Sequence, residues 1–181
     1  KSLDEGGITS NLQEIFQGIN IFDNNINILL NRFVSPLSST LATSYYKYYI
    51  MDTVMVGNNE CIDLAFVPFN SQSYGFTGRL FITTDGHFAI KKFLLNVPSN
   101  INLNFVDNLR ITQEFKQMPD STWVLDQENT FINFYVIKGA QQLYAHQMRS
   151  YNTYDFSTPP DSVFDVLGSY IVLESAINQQ D

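Results

Sequence analysis

Phe76-Thr77-Gly78-Arg79-Leu80-Phe81-Ile82-Thr83-Thr84-Asp85-Gly86-His87-Phe88-Ala89-Ile90-Lys91-Lys92-Phe93-Leu94-Leu95-Asn96-Val97 decides the fold class. Two apolar runs, Phe76 to Thr83 and Phe88 to Val97, flank Thr84-Asp85-Gly86. Asp-Gly between such runs is a strong hairpin signal, because both residues tolerate the positive φ that a tight turn between twisted strands demands. β-Branched and aromatic side chains suit a pleated, half-buried surface, so the unit reads as two antiparallel strands.

The same period of two extends outward on both sides. Ser44 to Val56 alternates Tyr46, Tyr48 and Ile50 with Tyr45, Lys47 and Tyr49, and Cys61 to Phe69 places Ile62, Leu64 and Phe66 opposite Cys61, Asp63 and Ala65. Downstream, Leu103 to Phe115 puts Phe105, Leu109, Ile111 and Phe115 on one side, together with Asp107 and Gln113. Met118-Pro119-Asp120-Ser121 turns the chain into Trp123 to Asp126, Thr130 to Lys138 alternates Ile132, Phe134 and Val136, and Gly139-Ala140 leads into Leu143 to Tyr151. About eight strands with short turns and no helical pattern between them predict an antiparallel meander rather than βαβ units. The expected fold is mainly β, a curved antiparallel meander sheet or open half-barrel of about 8–10 strands, since such a sheet must either close or be covered.

A short N-terminal helix is the expected cover: Leu12, Ile15 and Phe16 recur at helical spacing, with Thr9 or Ser10 as cap and Gly18 as stop. Ile19 to Arg32 is ambiguous between strand and helix, and Ser35-Pro36-Leu37-Ser38-Ser39-Thr40 punctuates the chain. After Tyr154 the pattern breaks at Pro159-Pro160, and Val163 to Leu173 reads as one or two further strands. Residues 1–181 are expected to form a single domain, with 1–44 as a helical or irregular cover, 45–154 as the sheet and 155–181 as a C-terminal extension.

With 44% hydrophobic and 15% charged residues, and 15 Phe and 10 Tyr among 181, the chain is built to bury a core without staples. Ten basic against eighteen acidic residues give a net charge of −8, which repels phosphate backbones and anionic headgroups, so no nucleic acid partner is expected. The single cysteine, Cys61, rules out an intrachain disulfide. No apolar run reaches the ~18 residues of a membrane helix. Lys1 to Gly7 holds neither an initiating Met nor an apolar h-region, so the chain reads as a mature product or an excised piece.

Catalytic and metal chemistry finds little footing. His87 and His146 are the only histidines, and no His-x-His or paired-carboxylate spacing accompanies them, so no metal and no cofactor are expected. Cys61 lies between Glu60 and Asp63, carboxylates that raise a thiol pKa, and it reads as a small buried hydrophobe rather than a nucleophile. A Gly-x-Ser-x-Gly turn is absent. Asp23-Asn24-Asn25-Ile26-Asn27 imitates the start of an EF-hand loop, but Ile28 occupies the sharp-turn glycine position and Val34 that of the bidentate glutamate. Scattered carboxylates could supply a glycosidase pair, although solubilising roles explain them more simply. No catalytic residue is assigned.

Aromatic residues carry the one candidate binding surface. Tyr45, Tyr46, Tyr48 and Tyr49 could line a cleft, but alternation splits them between two faces. Phe66, Phe76, Phe81, Phe88, Phe93, Phe115, Phe131 and Phe134 exceed what a flat two-layer core requires. Phe66, Phe76, Phe88 and Phe134 are the candidate ligand-binding residues of an apolar concave face that would take a lipid or acyl chain.

An ordered set of short motifs carries a family resemblance. Phe16-Gln17-Gly18-Ile19-Asn20-Ile21-Phe22-Asp23-Asn24, Phe33-Val34-Ser35-Pro36-Leu37, Tyr46-Lys47-Tyr48-Tyr49-Ile50-Met51-Asp52-Thr53 and Phe66-Val67-Pro68 come first. Gly75-Phe76-Thr77-Gly78-Arg79-Leu80, Pro98 with Asn102-Leu103-Asn104-Phe105-Val106, Gln113-Glu114-Phe115 and Trp123-Val124-Leu125 follow. Together, over about Leu12 to Tyr154, they resemble the middle region of an uncharacterised family of Bacteroidetes-type outer-membrane proteins. Members of that family pair a carboxypeptidase-regulatory-like domain with a C-terminal membrane β-barrel. The resemblance implies a non-enzymatic domain on the periplasmic side of the outer membrane, structural or partner-docking, with the neighbouring domains of its own chain as partners. The architecture is also similar to that of lipoprotein-carrier half-barrels, which implies as alternative a module binding lipid, a lipoprotein or another apolar ligand; architecture alone does not fix function.

Overall fold

A computed structural model of the chain describes residues 16–29, 31–70, 73–98, 101, 103, 106–135 and 142–157. The first elements are a small hairpin, β1 (Asn25–Ile28) and β2 (Asn31–Val34), and a four-residue helix, α1 (Ala42–Tyr45). Seven strands then follow: β3 (Tyr46–Val56), β4 (Asn59–Pro68), β5 (Thr77–Thr83), β6 (Ile90–Val97), β7 (Val106–Gln117), β8 (Trp123–Tyr135) and β9 (Gln142–Ser150). They form one antiparallel meander in chain order, and β3 and β9 remain its two edges among the described residues, so the sheet is not closed.

Cross-strand register sorts the side chains into two faces. Phe66 stands opposite Gly78, Leu80 opposite Phe93, Leu95 opposite Ile111 and Leu109 opposite Ile132. All of these but Gly78 belong to one buried cluster, which Ile21, Ile26, Ile28 and Phe33 enter from the preceding segment. The described residues of 16–29 and 31–41 therefore cover this face of the sheet. Apolar burial of this kind contributes about 25 cal/mol per Å² removed from water and is the main force holding cover to sheet.

Polar contacts fix where the cover sits. The Tyr46 hydroxyl donates to Val34 O at 2.5 Å and accepts from the Phe76 N–H at 3.1 Å. Tyr48 donates to Pro36 O at 2.6 Å. Within the cover, Asn24 Oδ1 accepts from Ser38 Oγ at 3.0 Å and from the Ser39 N–H at 3.1 Å, while Ser35 Oγ donates to Ile21 O at 2.7 Å. On the opposite face, residues after β9 fold back: Tyr154 Oη lies 2.6 Å from Leu125 O, and its ring takes Lys116 Nζ at 5.1 Å.

Several expected boundaries shift for physical reasons. Most of the expected N-terminal helix, residues 9–15, lies outside the described residues; Phe16 and Gln17 form a turn and Gly18 has φ 88°, so this part is not helical. The ambiguous Ile19 to Arg32 stretch contributes the β1–β2 hairpin, turned through Leu29 at φ 52°. Tyr45 ends α1 instead of opening a strand. Trp123 to Asp126 and Thr130 to Tyr135 are one strand, because a bulge between Gln127 and Leu125 absorbs the change of alternation. Another bulge, between Val106 and Asn108, turns Asp107 out to solvent while Gln113 stays buried on the covered face. Phe105, Gly139-Ala140 and Val163 to Leu173 lie outside the described residues.

Candidate functional site

Of the four candidate ligand-binding residues, three are brought together. Phe66, Phe76 and Phe134 belong to the buried cluster, whereas Phe88 is 65% exposed in the β5–β6 loop at φ 51°, ahead of β6. The Asp85 carboxylate explains that loop: Thr83 Oγ1 donates to it at 2.8 Å and the His87 N–H at 3.0 Å, and these contacts hold it below the usual carboxylate range. Ala89 N–H then returns to Thr83 Oγ1 at 3.0 Å, so the strand restarts only after Phe88.

The buried rings are already engaged with one another. Phe33 from β2 stacks on Phe76 at 4.6 Å, Phe66 stacks on Phe93 at 5.9 Å, and Tyr46 meets Phe66 edge-on at 5.8 Å. Beside the cover, a cavity of about 90 Å³ lies between Gly18-Ile19, Asn27-Ile28 and the Leu109 and Ile111 side chains of β7. Drug-sized or acyl ligands occupy about 300–1,000 Å³. This cavity holds a few waters at most.

A buried polar cluster lies under the cover, and it escaped sequence reasoning. Glu128 accepts from Gln113 Nε2 at 2.5 Å and from Arg149 Nη1 at 3.0 Å, and Gln113 Nε2 also reaches Ile19 O at 2.9 Å. Register explains the meeting, since Gln113 stands opposite Glu128 and Glu128 opposite Arg149 on three adjacent strands. A Cβ on Gly18 would collide with Arg149 Nη1, so glycine lets the backbone of the cover come down onto the ion pair. No buried side-chain nitrogen or oxygen of these three residues lacks a partner, which is the pattern of a structural network rather than a poised catalytic group.

The remaining candidates are dispersed. His87 is exposed in the β5–β6 loop, whereas His146 on β9 stacks on Phe131 at 4.0 Å with Nε2 3.2 Å from Asn129 Oδ1. Three intervening strands separate them, and no group of three potential metal ligands exists among the described residues. Cys61 is fully buried and burial pushes its thiol pKa up, which keeps it protonated and unreactive. Tyr46 and Tyr48 spend their hydroxyls on the cover, and Tyr49 projects to solvent on the other face.

The edge strand β3 has a different character. Every residue from Tyr49 to Thr53 is exposed, Ile50 by 74%, and Met55 is 64% exposed. Asp52 stands directly opposite Asp63. Asp63 is nearly fully buried; its Oδ2 pairs with Arg79 Nη1 at 3.1 Å, and its Oδ1 has no hydrogen-bond partner among the described residues.

Residues 1–154 match the model of a family of unknown function, DUF5686, and the chain belongs to that family. No curated protein and no solved structure matches the chain. No helix among the described residues is long and apolar enough to cross a membrane, a statement that does not bear on β-barrels.

Proposed function

We propose that this member of DUF5686 is a non-enzymatic structural or docking domain of the cell envelope, facing the periplasm at the outer membrane, seated against the neighbouring domains of its own chain and docking a partner protein there. The observation that carries the docking role is the occupied face of the sheet: Ile21, Ile26, Ile28 and Phe33 fill the space an apolar ligand would need. The envelope setting draws on the ordered motifs from Phe16 to Leu125 that resemble outer-membrane proteins. Carriage of lipid or another apolar ligand is the competing role, favoured by the half-buried Ile62 and Leu64 beside exposed Ile50; it requires the β1–β2 hairpin to leave the sheet.

The test is a photo-crosslinking residue, p-benzoylphenylalanine, placed at Ile50 in the protein expressed in its own cell, followed by fractionation. A discrete protein adduct in the envelope fraction is expected. Recovery in the cytosol, or adducts with lipid alone, would overturn the proposal.

A further inference from the structure

Resting on the docking role above, we infer that the free edge of β3 accepts one extended strand of a partner protein, with a lysine or arginine opposite Asp52 and apolar residues at the alternating positions. Among the described residues β3 pairs with β4 only, so its outer row of N–H and C=O groups is a template for a further strand.

The two faces of this edge make different demands. Ile50 pairs with Leu64, Thr53 with Ile62 and Met55 with Glu60, so Ile50, Thr53 and Met55 share the face of Ile62 and Leu64, and all three are exposed. A partner's apolar residues would bury the exposed Ile50 and Met55 side chains there. On the other face Asp52 stands opposite Asp63, Arg79 is committed to Asp63, and Lys47, also on this face, lies over the Phe69 ring at 5.3 Å. Like charges directly opposite in a ladder repel. Asp52 forms no ion pair among the described residues; its Oδ1 accepts only the adjacent Thr53 N–H at 2.8 Å. A basic side chain from an added strand supplies the missing counter-charge, and the chain's net charge of −8 steers basic segments toward it.

The bulge at Met51, between the Ile50 and Asp52 pairings, narrows the choice of partner. Bulges twist an edge and break featureless pairing, which confines an incoming strand to a register anchored on Asp52. The other edge offers no such charge, because Arg149 on β9 is already paired with Glu128.

A nine-residue peptide of alternating threonine and valine with a central arginine on the threonine side is the probe, read by amide hydrogen exchange of the whole chain. Slowed exchange within residues 49–56 of β3 is expected, with a glutamate-centred twin about fivefold weaker, the scale of a surface charge pair. An N-methylated twin should give no protection, and Asp52→Lys, an exposed substitution, should reverse the preference. Equal binding of the two charge variants, protection at β9, or none anywhere would overturn the inference, as would a dimer through β3 that the peptide does not displace. A protein adduct at Ile50 in cells without protection of β3 would sink the strand-addition claim alone; absence of any protein adduct would sink the docking role itself.

Discussion

Gly78 occupies the point of closest approach in the sheet: a Cβ there would strike Leu94 O and come within 2.6 Å of Phe66 Cζ. Gly78→Ala is therefore expected to cost about 3 kcal/mol, measured by urea unfolding, because neither the β6 backbone nor a fully buried ring can give way. Glu128 is almost wholly buried, and Arg149→Leu leaves its carboxylate without the cation; a loss of about 3 kcal/mol is expected in the same assay. Burial pushes the Tyr48 phenol up to about 12 from the ordinary 10.0, and shifts Tyr46 in the same direction. A folded-state pKa above the unfolded one gives stability that is complete below about pH 10 and lost as pH rises toward about 12. The wild-type chain should thus lose stability over that window more steeply than Tyr48→Phe, in chemical denaturation at stepped pH. Cys61 should resist thiol reagents at pH 8 until the chain is unfolded; rapid labelling of the folded protein would contradict its burial.

At the scale of elements, the β1–β2 hairpin holds the molecule's function in question, because it decides whether the covered face is free. Phe33→Ala removes a fully buried ring stacked on Phe76 and should cost about 4 kcal/mol in urea unfolding, with the loss appearing as one cooperative transition if cover and sheet fold together. A separate early transition would show the hairpin to be a detachable lid. The strands of the sheet were legible in the sequence because alternation and Asp85-Gly86 are local signals, and β4 to β6 lie close to where they were expected. Asn25 to Val34 was not legible as a hairpin, since Ile28-Leu29-Leu30 suits a helix as readily as a strand and its turn uses Leu29 at positive φ instead of glycine. Phe88 was misplaced by the same limit: alternation counts it into a strand, whereas the Asp85 contacts of the loop delay pairing to Ile90.

For the whole molecule, an open seven-stranded sheet with one face filled by its own N-terminal segment is an architecture that periodicity could announce but not complete. Excess aromatic content is compatible with a ligand cavity and with ordinary core packing alike; which residues fill the face depends on contacts such as that between Phe33 and Phe76, 43 positions apart, that no local pattern encodes. The Gln113–Glu128–Arg149 cluster was hidden for the same reason, each member looking like an ordinary polar strand residue until register set them side by side. Native mass spectrometry of the chain, purified without detergent and then offered phospholipid and free fatty acid, tests the occupied face most directly. The predicted spectrum shows the unliganded mass before and after lipid is added. A one-to-one lipid adduct that survives purification and disappears in Phe93→Ala, with the variant still folded, would contradict the account and make the domain a carrier.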